Sequence, residues 1–119
     1  MEKLSTIQKR NNLNEVYRVG DPGPGGAYHH YTVFHGPKEY SCTEIQFQNG
    51  PRNLETSISG VLEVDLLEIV RDRLAAFQSG EYATRENAIA LTHIEEALLW
   101  MNKRTEDRFE RGVLGTMQK

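Results

Sequence analysis

The sequence predicts an α+β protein: a small N-terminal antiparallel β-sheet, then an antiparallel two-helix hairpin with a long C-terminal helix. Three observations lead there. From Val61 onward, apolar residues recur at helical spacing in two blocks joined by a short link. The second block, Thr84 to Thr116, has no Pro, and its first Gly is Gly112, so it is by far the longest run compatible with one helix. Before Val61, clusters of β-formers alternate with Gly- and Pro-rich breaks, a strand-and-turn pattern.

Taken in order, residues 1–16 are mostly polar, with Leu4, Ile7, Leu13 and Val16 apolar, which fits a frayed terminus or a short first strand near Asn14–Arg18. Gly20 to Gly26, GDPGPGG, is tolerated by no regular element. Tyr28, Tyr31, Thr32, Val33 and Phe34 then read as a strand, ended by His35-Gly36-Pro37. Tyr40–Gln48 alternates Ser41, Thr43 and Gln46 against Cys42, Ile45 and Phe47, with a slip at Glu44. Asn49-Gly50-Pro51 is a turn and a hairpin signal. Leu54–Ile58 reads as a short third strand leading into Ser59-Gly60.

The first helix carries a core-facing stripe of Leu66/Leu67, Val70, Leu74 and Phe77 and stops near Gln78, before Ser79-Gly80. In the second, Thr84 is placed to cap the start, with Glu86 in the first turn, where the helix dipole favours an acid. Its apolar stripe is Ile89/Leu91, Ile94, Ala97/Leu98 and Met101, after which Lys103, Arg104, Arg108 and Arg111 alternate with Glu106, Asp107 and Glu110. A link of about five residues makes the two an antiparallel pair. Helical from Arg85 to Arg111, the second is about 40 Å long against about 25 Å for the first. It also exceeds the ~26 Å diameter of a domain of ~100 residues, so part of it overhangs the core, where a partner chain would cover it.

The 119 residues are read as one domain, with a β-rich half (1–60) and a helical hairpin (61–116). A net charge of −3 argues against strong sequence-independent binding to DNA. The one cysteine, Cys42, excludes an intrachain disulfide framework and a multi-Cys metal site, as in a reducing cytoplasm. No apolar run approaches the ~18 residues of a membrane span, and the first twelve residues lack an apolar signal core.

Few motifs point to catalysis. The Gly-rich segment has no GKS or GKT and no helix behind it to receive a phosphate, so it reads as a strand-to-strand loop. His29, His30 and His35 do not have metal-ligand spacing, and His29 and His30 alternate across a strand. Binding residues are easier to find. Phe77, beside the Ser-Gly turn, is either a core knob or a stacking platform for a flat ring. Asn87, in the first turn of the long helix, is either a local cap or an amide suited to an adenine edge. Arg52, Arg85, Arg104, Arg108 and Arg111 are five of nine arginines. Arg104 and Arg108 share a helix face, and such forks suit a phosphate or pyrophosphate when acids do not neutralise them.

The patterns F-Q-x-G from Phe77, R-E-N-A-x-A-L-T from Arg85, E-E-A-x-x-W from Glu95 and K-R-T-x-D-R-x-x-R-G-V-x-G-T from Lys103 are long and specific. Here the chain resembles the phage Thoeris anti-defence sponge family, which shares its helical hairpin domain with the anti-CBASS cyclic-oligonucleotide sponge. The resemblance covers residues 50–116 well and residues 1–49 mainly through GDPGPGGAYHHY; a β-rich half before the hairpin favours the Thoeris branch. It implies a non-enzymatic binder without cofactor, acting in the host bacterial cytoplasm. Such a binder sequesters glycocyclic ADP-ribose in a pocket between two protomers. By the same resemblance Phe77 stacks on the adenine, Asn87 contacts the ligand, and Arg52 and Arg104 hold its phosphates; Arg85, in the R-E-N motif, is a further candidate ligand-binding residue. Some members form trimers of dimers with separate sites for cyclic di- or trinucleotides, for which Thr92, Arg108, Arg111 and Thr116 are the candidates. His93 stands where relatives commonly carry Lys, a departure that bears on cyclic-dinucleotide binding. Two other classes remain open: a structural or protein-binding module whose hairpin serves only oligomerisation, and a nucleotide-cleaving enzyme using His29 or His30.

Overall fold

A computed structural model describes residues 1–8, 13–37 and 41–118; the expected strand start at Tyr40 lies outside them. The chain folds as two compact units, Met1–Val61 and Leu62–Lys119.

The first unit is a four-stranded antiparallel meander in the order β1 (Glu2–Lys3), β2 (Glu15–Val19), β3 (His30–Phe34) and β4 (Cys42–Gln46). Register fixes its faces, because directly opposed residues share one side of a sheet. Arg18, Tyr31 and Ile45 line up on one side, where the Tyr31 and Phe47 rings meet edge-on at 5.7 Å. Tyr17, Thr32 and Glu44 line up on the other, where Tyr17 meets Phe34 at 5.4 Å. The Tyr17 hydroxyl donates to Glu15 at 3.1 Å, and that bond raises its pKa. Thr32, central in the sheet, is only 4% exposed.

Leu54–Ile58 is not the strand its composition suggests. Its amides serve turns: Leu54 N–H reaches Pro51 O at 3.2 Å and Ser57 N–H reaches Leu54 O at 3.2 Å, while the Ser57 hydroxyl donates to Pro51 O at 2.6 Å. Only single bridges survive, Asn49 with Ile58 and Phe47 with Val61. The Asn-Gly-Pro signal therefore marks a wide loop rather than a tight hairpin, with Gly50 at φ 96°. Gly60 then passes against β4's end so closely that an added Cβ would lie 2.4 Å from Gln46 O.

The second unit is the helical hairpin, α1 (Glu63–Gln78) and α2 (Arg85–Glu110). At the start of α1 the Asp65 carboxylate accepts from Leu62 N–H at 2.8 Å, the reverse half of a capping box. Thr84 caps α2 as its sequence position predicts, accepting from Asn87 N–H at 3.1 Å. α2 ends in a Schellman motif: Gly112, at φ 71°, donates to Phe109 O at 3.0 Å, and Val113 N–H donates to Arg108 O at 3.0 Å. Across the hairpin, Arg71 bonds Glu95 at 2.9 Å and, within α1, Glu68 at 3.3 Å, and these two carboxylates raise its pKa. Both ends of this network are exposed, so it orients the helices more than it stabilises them.

Val64, Leu66, Leu67 and Leu74 of α1 face Leu91, Ile94, Ala97, Leu98 and Met101 of α2 as half-buried stripes. Val70, Phe77 and Ile89 belong to the predicted stripes but are exposed, because two helices cover only one strip of each other. Among the described residues no apolar side chain is fully buried, and Leu99, Trp100 and Phe109 stand out in solvent. At ~1.5 Å per residue α2 outruns α1 by about 15 Å. No helix is long and apolar enough to cross a membrane among the described residues.

Two substitutions test these local accounts. Gly60→Ala drives a methyl into the Gln46–Phe47 backbone and is expected to destabilise the protein by about 1–3 kcal/mol in urea unfolding. Thr84→Ala removes the cap and is expected to cost about 1 kcal/mol. A neutral Gly60→Ala would show that the β4 contact is not tight.

Candidate functional site

The turn of the hairpin gathers three of the candidate binding residues, Phe77, Arg85 and Asn87. The Gln78 amide grips Thr84 at both ends: Nε2 donates to Thr84 O at 3.0 Å, and Oε1 accepts from Thr84 N–H at 2.9 Å. α1 stops without a left-handed glycine, since Gly80 has no positive φ; instead the Ser79 hydroxyl bonds Ala76 O at 2.7 Å. This clamp fixes the spacing between the last turn of α1, which carries Phe77, and the first turn of α2, which carries Arg85 and Asn87.

Phe77 is 41% exposed, so the ring is available for stacking rather than enclosed as a core knob. Arg73 lies over it, its guanidinium carbon 5.5 Å from the ring centre. Asn87 is half-buried, its backbone amide taken by Thr84. Among the described residues its side-chain amide makes no hydrogen bond and is left with donor and acceptor both open.

The predicted arginines divide into two groups. Arg52, Arg85 and Arg104 are exposed and have no ion pair or hydrogen bond among the described residues. Arg108 and Arg111 are engaged by their own chain. Arg108 is 7% exposed, and its guanidinium donates to the carbonyls of Val113 at 3.0 Å, Thr116 at 3.1 Å and Gln118. Arg111 bonds Asp107 at 3.1 Å. The threonines predicted beside them are also engaged: Thr92 donates to Ala88 O at 3.2 Å, and Thr116 donates to Val113 O at 2.5 Å. Sequence reading took Arg108 for an exposed fork. The signal for its inward turn is the Gly112/Gly115 pair, both at positive φ, which folds the chain back so that carbonyls collect around it.

Arg52 follows the Gly50-Pro51 turn in the first unit. Arg104 lies seventeen residues beyond Asn87 on one helix, about 26 Å along its axis. One protomer's hairpin therefore does not bring Arg104 to Phe77 and Asn87.

The histidines do not converge. His30 lies 3.6 Å from Glu44, His35 bonds Thr43 at 2.9 Å, and His93 lies 3.8 Å from Glu96. His29 lies against Gly23, with its Nε2 buried and without a hydrogen bond. Among the described residues no three His, Cys, Asp or Glu side chains group as metal ligands do.

Comparison with known proteins adds two findings. The family model described as Acb2/Tad1, hairpin domain, matches residues 42–106, a span that holds Arg52, Phe77, Arg85, Asn87, Thr92 and Arg104. The protein Thoeris anti-defense 1 of Bacillus phage SBSphiJ7 is 49% identical over 75 residues, which are 63% of this chain and 52% of that protein. The chain thus spans about half the length of that relative.

The carbonyl cage around Arg108 has a direct test. Arg108→Gln is expected to speed amide exchange at Thr116 by about tenfold, equivalent to about 1.4 kcal/mol, while leaving the middle of α2 protected. Unchanged exchange at Thr116 would mean that the cage does not hold the C-terminal turn.

Proposed function

The chain belongs to the Acb2/Tad1 hairpin-domain family, and from that premise we propose that it is a phage anti-defence sponge. It binds glycocyclic ADP-ribose signals without cleaving them and so keeps Thoeris immunity from being switched on. The observation that carries this reading is the set of uncommitted groups within the matched span. Phe77 offers an open ring face, Asn87 an open amide, and Arg52, Arg85 and Arg104 open guanidiniums, in a chain with more acids than bases. An adenine nucleotide presents the complement of that set: a flat base, a hydrogen-bonding edge and phosphates. The name of the phage relative points the same way.

The ~26 Å between Asn87 and Arg104 favours a site shared by two chains. Exposed Leu99, Trp100 and Phe109 on α2 supply the apolar surface for such an association, as dimer or as trimer of dimers. The reading extends to cyclic di- and trinucleotides at Thr92, Arg108, Arg111 and Thr116, where a ligand must replace bonds these residues make within their own chain. That no apolar side chain is buried among the described residues equally favours a second reading, a hairpin that serves oligomerisation alone. The two differ in what Phe77 and Asn87 do.

Incubating the protein with glycocyclic ADP-ribose is expected to deplete the free ligand, and heat denaturation to return it intact. Degraded ligand would mean an enzyme; no depletion before heating would sink the sponge reading. Phe77→Ala is expected to weaken binding by the ~1–3 kcal/mol of one stacked base while the fold survives. A folded Phe77→Ala or Asn87→Ala protein that binds normally would leave only the oligomerisation module. Light scattering is expected to give at least twice the 13.6 kDa chain mass. Mixing Phe77→Ala with Arg104→Ala protein is expected to restore part of the binding, since some mixed sites combine both intact residues.

A further inference from the structure

Arg73 was not among the binding residues read from the sequence, and its surroundings set it apart. Two positions earlier, Arg71 is held by Glu68 and Glu95. Arg73 has no carboxylate within ion-pair distance among the described residues, in a protein with seventeen acids. Its one interaction is with Phe77, one turn further along α1, over whose ring its guanidinium lies at 5.5 Å. A guanidinium resting on a ring is oriented by it at little cost to its donors, because the N–H groups lie in its own plane and stay free for another partner.

We propose that Arg73 is a ligand-contacting residue: it binds a phosphate of the nucleotide whose base stacks on Phe77. The inference rests on the sponge reading and extends it to a residue that places base and phosphate contacts on one helix turn. Rise along α1 from Arg73 to Phe77 is about 6 Å, so one ligand can meet both with its flat and its charged parts. Asp72, Glu81, Arg85 and Glu86 are the other charged groups of the α1 end and the turn; none is bonded to Arg73. The competing role is purely structural, with Arg73 doing no more than shielding one face of the Phe77 ring.

Salt separates the two roles. Binding of glycocyclic ADP-ribose is measured by calorimetry on the full chain at about 50 and about 200 mM salt, for wild type, Arg73→Gln, Arg73→Lys and Phe77→Ala. If Arg73 holds a phosphate, Arg73→Gln binds about tenfold more weakly at low salt, and the slope of its affinity against salt is shallower than that of the wild type, because one screened charge pair is gone. Arg73→Lys, which keeps the charge, then regains the wild-type slope. Arg73→Gln with unchanged affinity, or with weaker affinity and an unchanged slope, overturns the inference. Phe77→Ala keeps the proposals distinguishable: binding sensitive to Phe77 but not to Arg73 overturns this inference alone, whereas no binding by wild type overturns the sponge reading and this inference together. Arg73 is exposed, so circular dichroism of both variants is expected to match wild type.

Discussion

Gln78 gives both ends of one side chain to the backbone of a single residue, Thr84. The pair of bonds imitates a rung between two strands, with a side-chain amide in place of one backbone. It closes the link between the helices and leaves little freedom in how the second departs from the first. Phe77 immediately precedes the clamp, and the Thr84 hydroxyl on its far side seats the first turn of α2 by accepting from Asn87. The distance between an aromatic ring and a free amide is thereby set by hydrogen bonds that touch neither side chain.

A second division runs through the basic residues. Two exposed arginines of the described residues find an acid, Arg71 and Arg111. Arg108 instead turns inward and binds three carbonyls, a local solution to the unpaired acceptors at a helix C-terminus. Among the described residues Arg52, Arg73, Arg85 and Arg104 make no side-chain ion pair or hydrogen bond, and two of the four flank Phe77 and Asn87. Residue type alone does not make this distinction, since all of these arginines lie near acids in sequence.

That explains how far the sequence could be read. β4 and both helices were legible from their periods, β3 from its cluster of β-formers, β2 only as one of two readings, and the Thr84 cap because capping is local chemistry. β1 was not, since Glu2 and Lys3 are two exposed residues with no pattern. Leu54–Ile58 looked like a strand because composition reports β preference but not where amides bond; Pro51 and Ser57 turn those amides to other partners. The stripes on α1 and α2 were correctly apolar, yet a period says which face is apolar and not what covers it, so the exposure of Val70, Phe77 and Ile89 needed coordinates. Phe77 and Asn87 could be singled out by position beside the turn. Arg73 could not, because its meaning depends on a missing acid and a ring one turn away.

The half-covered apolar stripes have a consequence for how the protein persists. If the proposed association covers them, a chain that fully buries no apolar side chain among its described residues draws part of its stability from that contact. Its stability then follows mass action: scarce copies are the least stable, and each new copy strengthens those already present. With the proposed ligand site shared by two chains, folding strength and binding capacity would rise together from the same encounter, and the onset of both would be steeper than proportional to the amount of protein made.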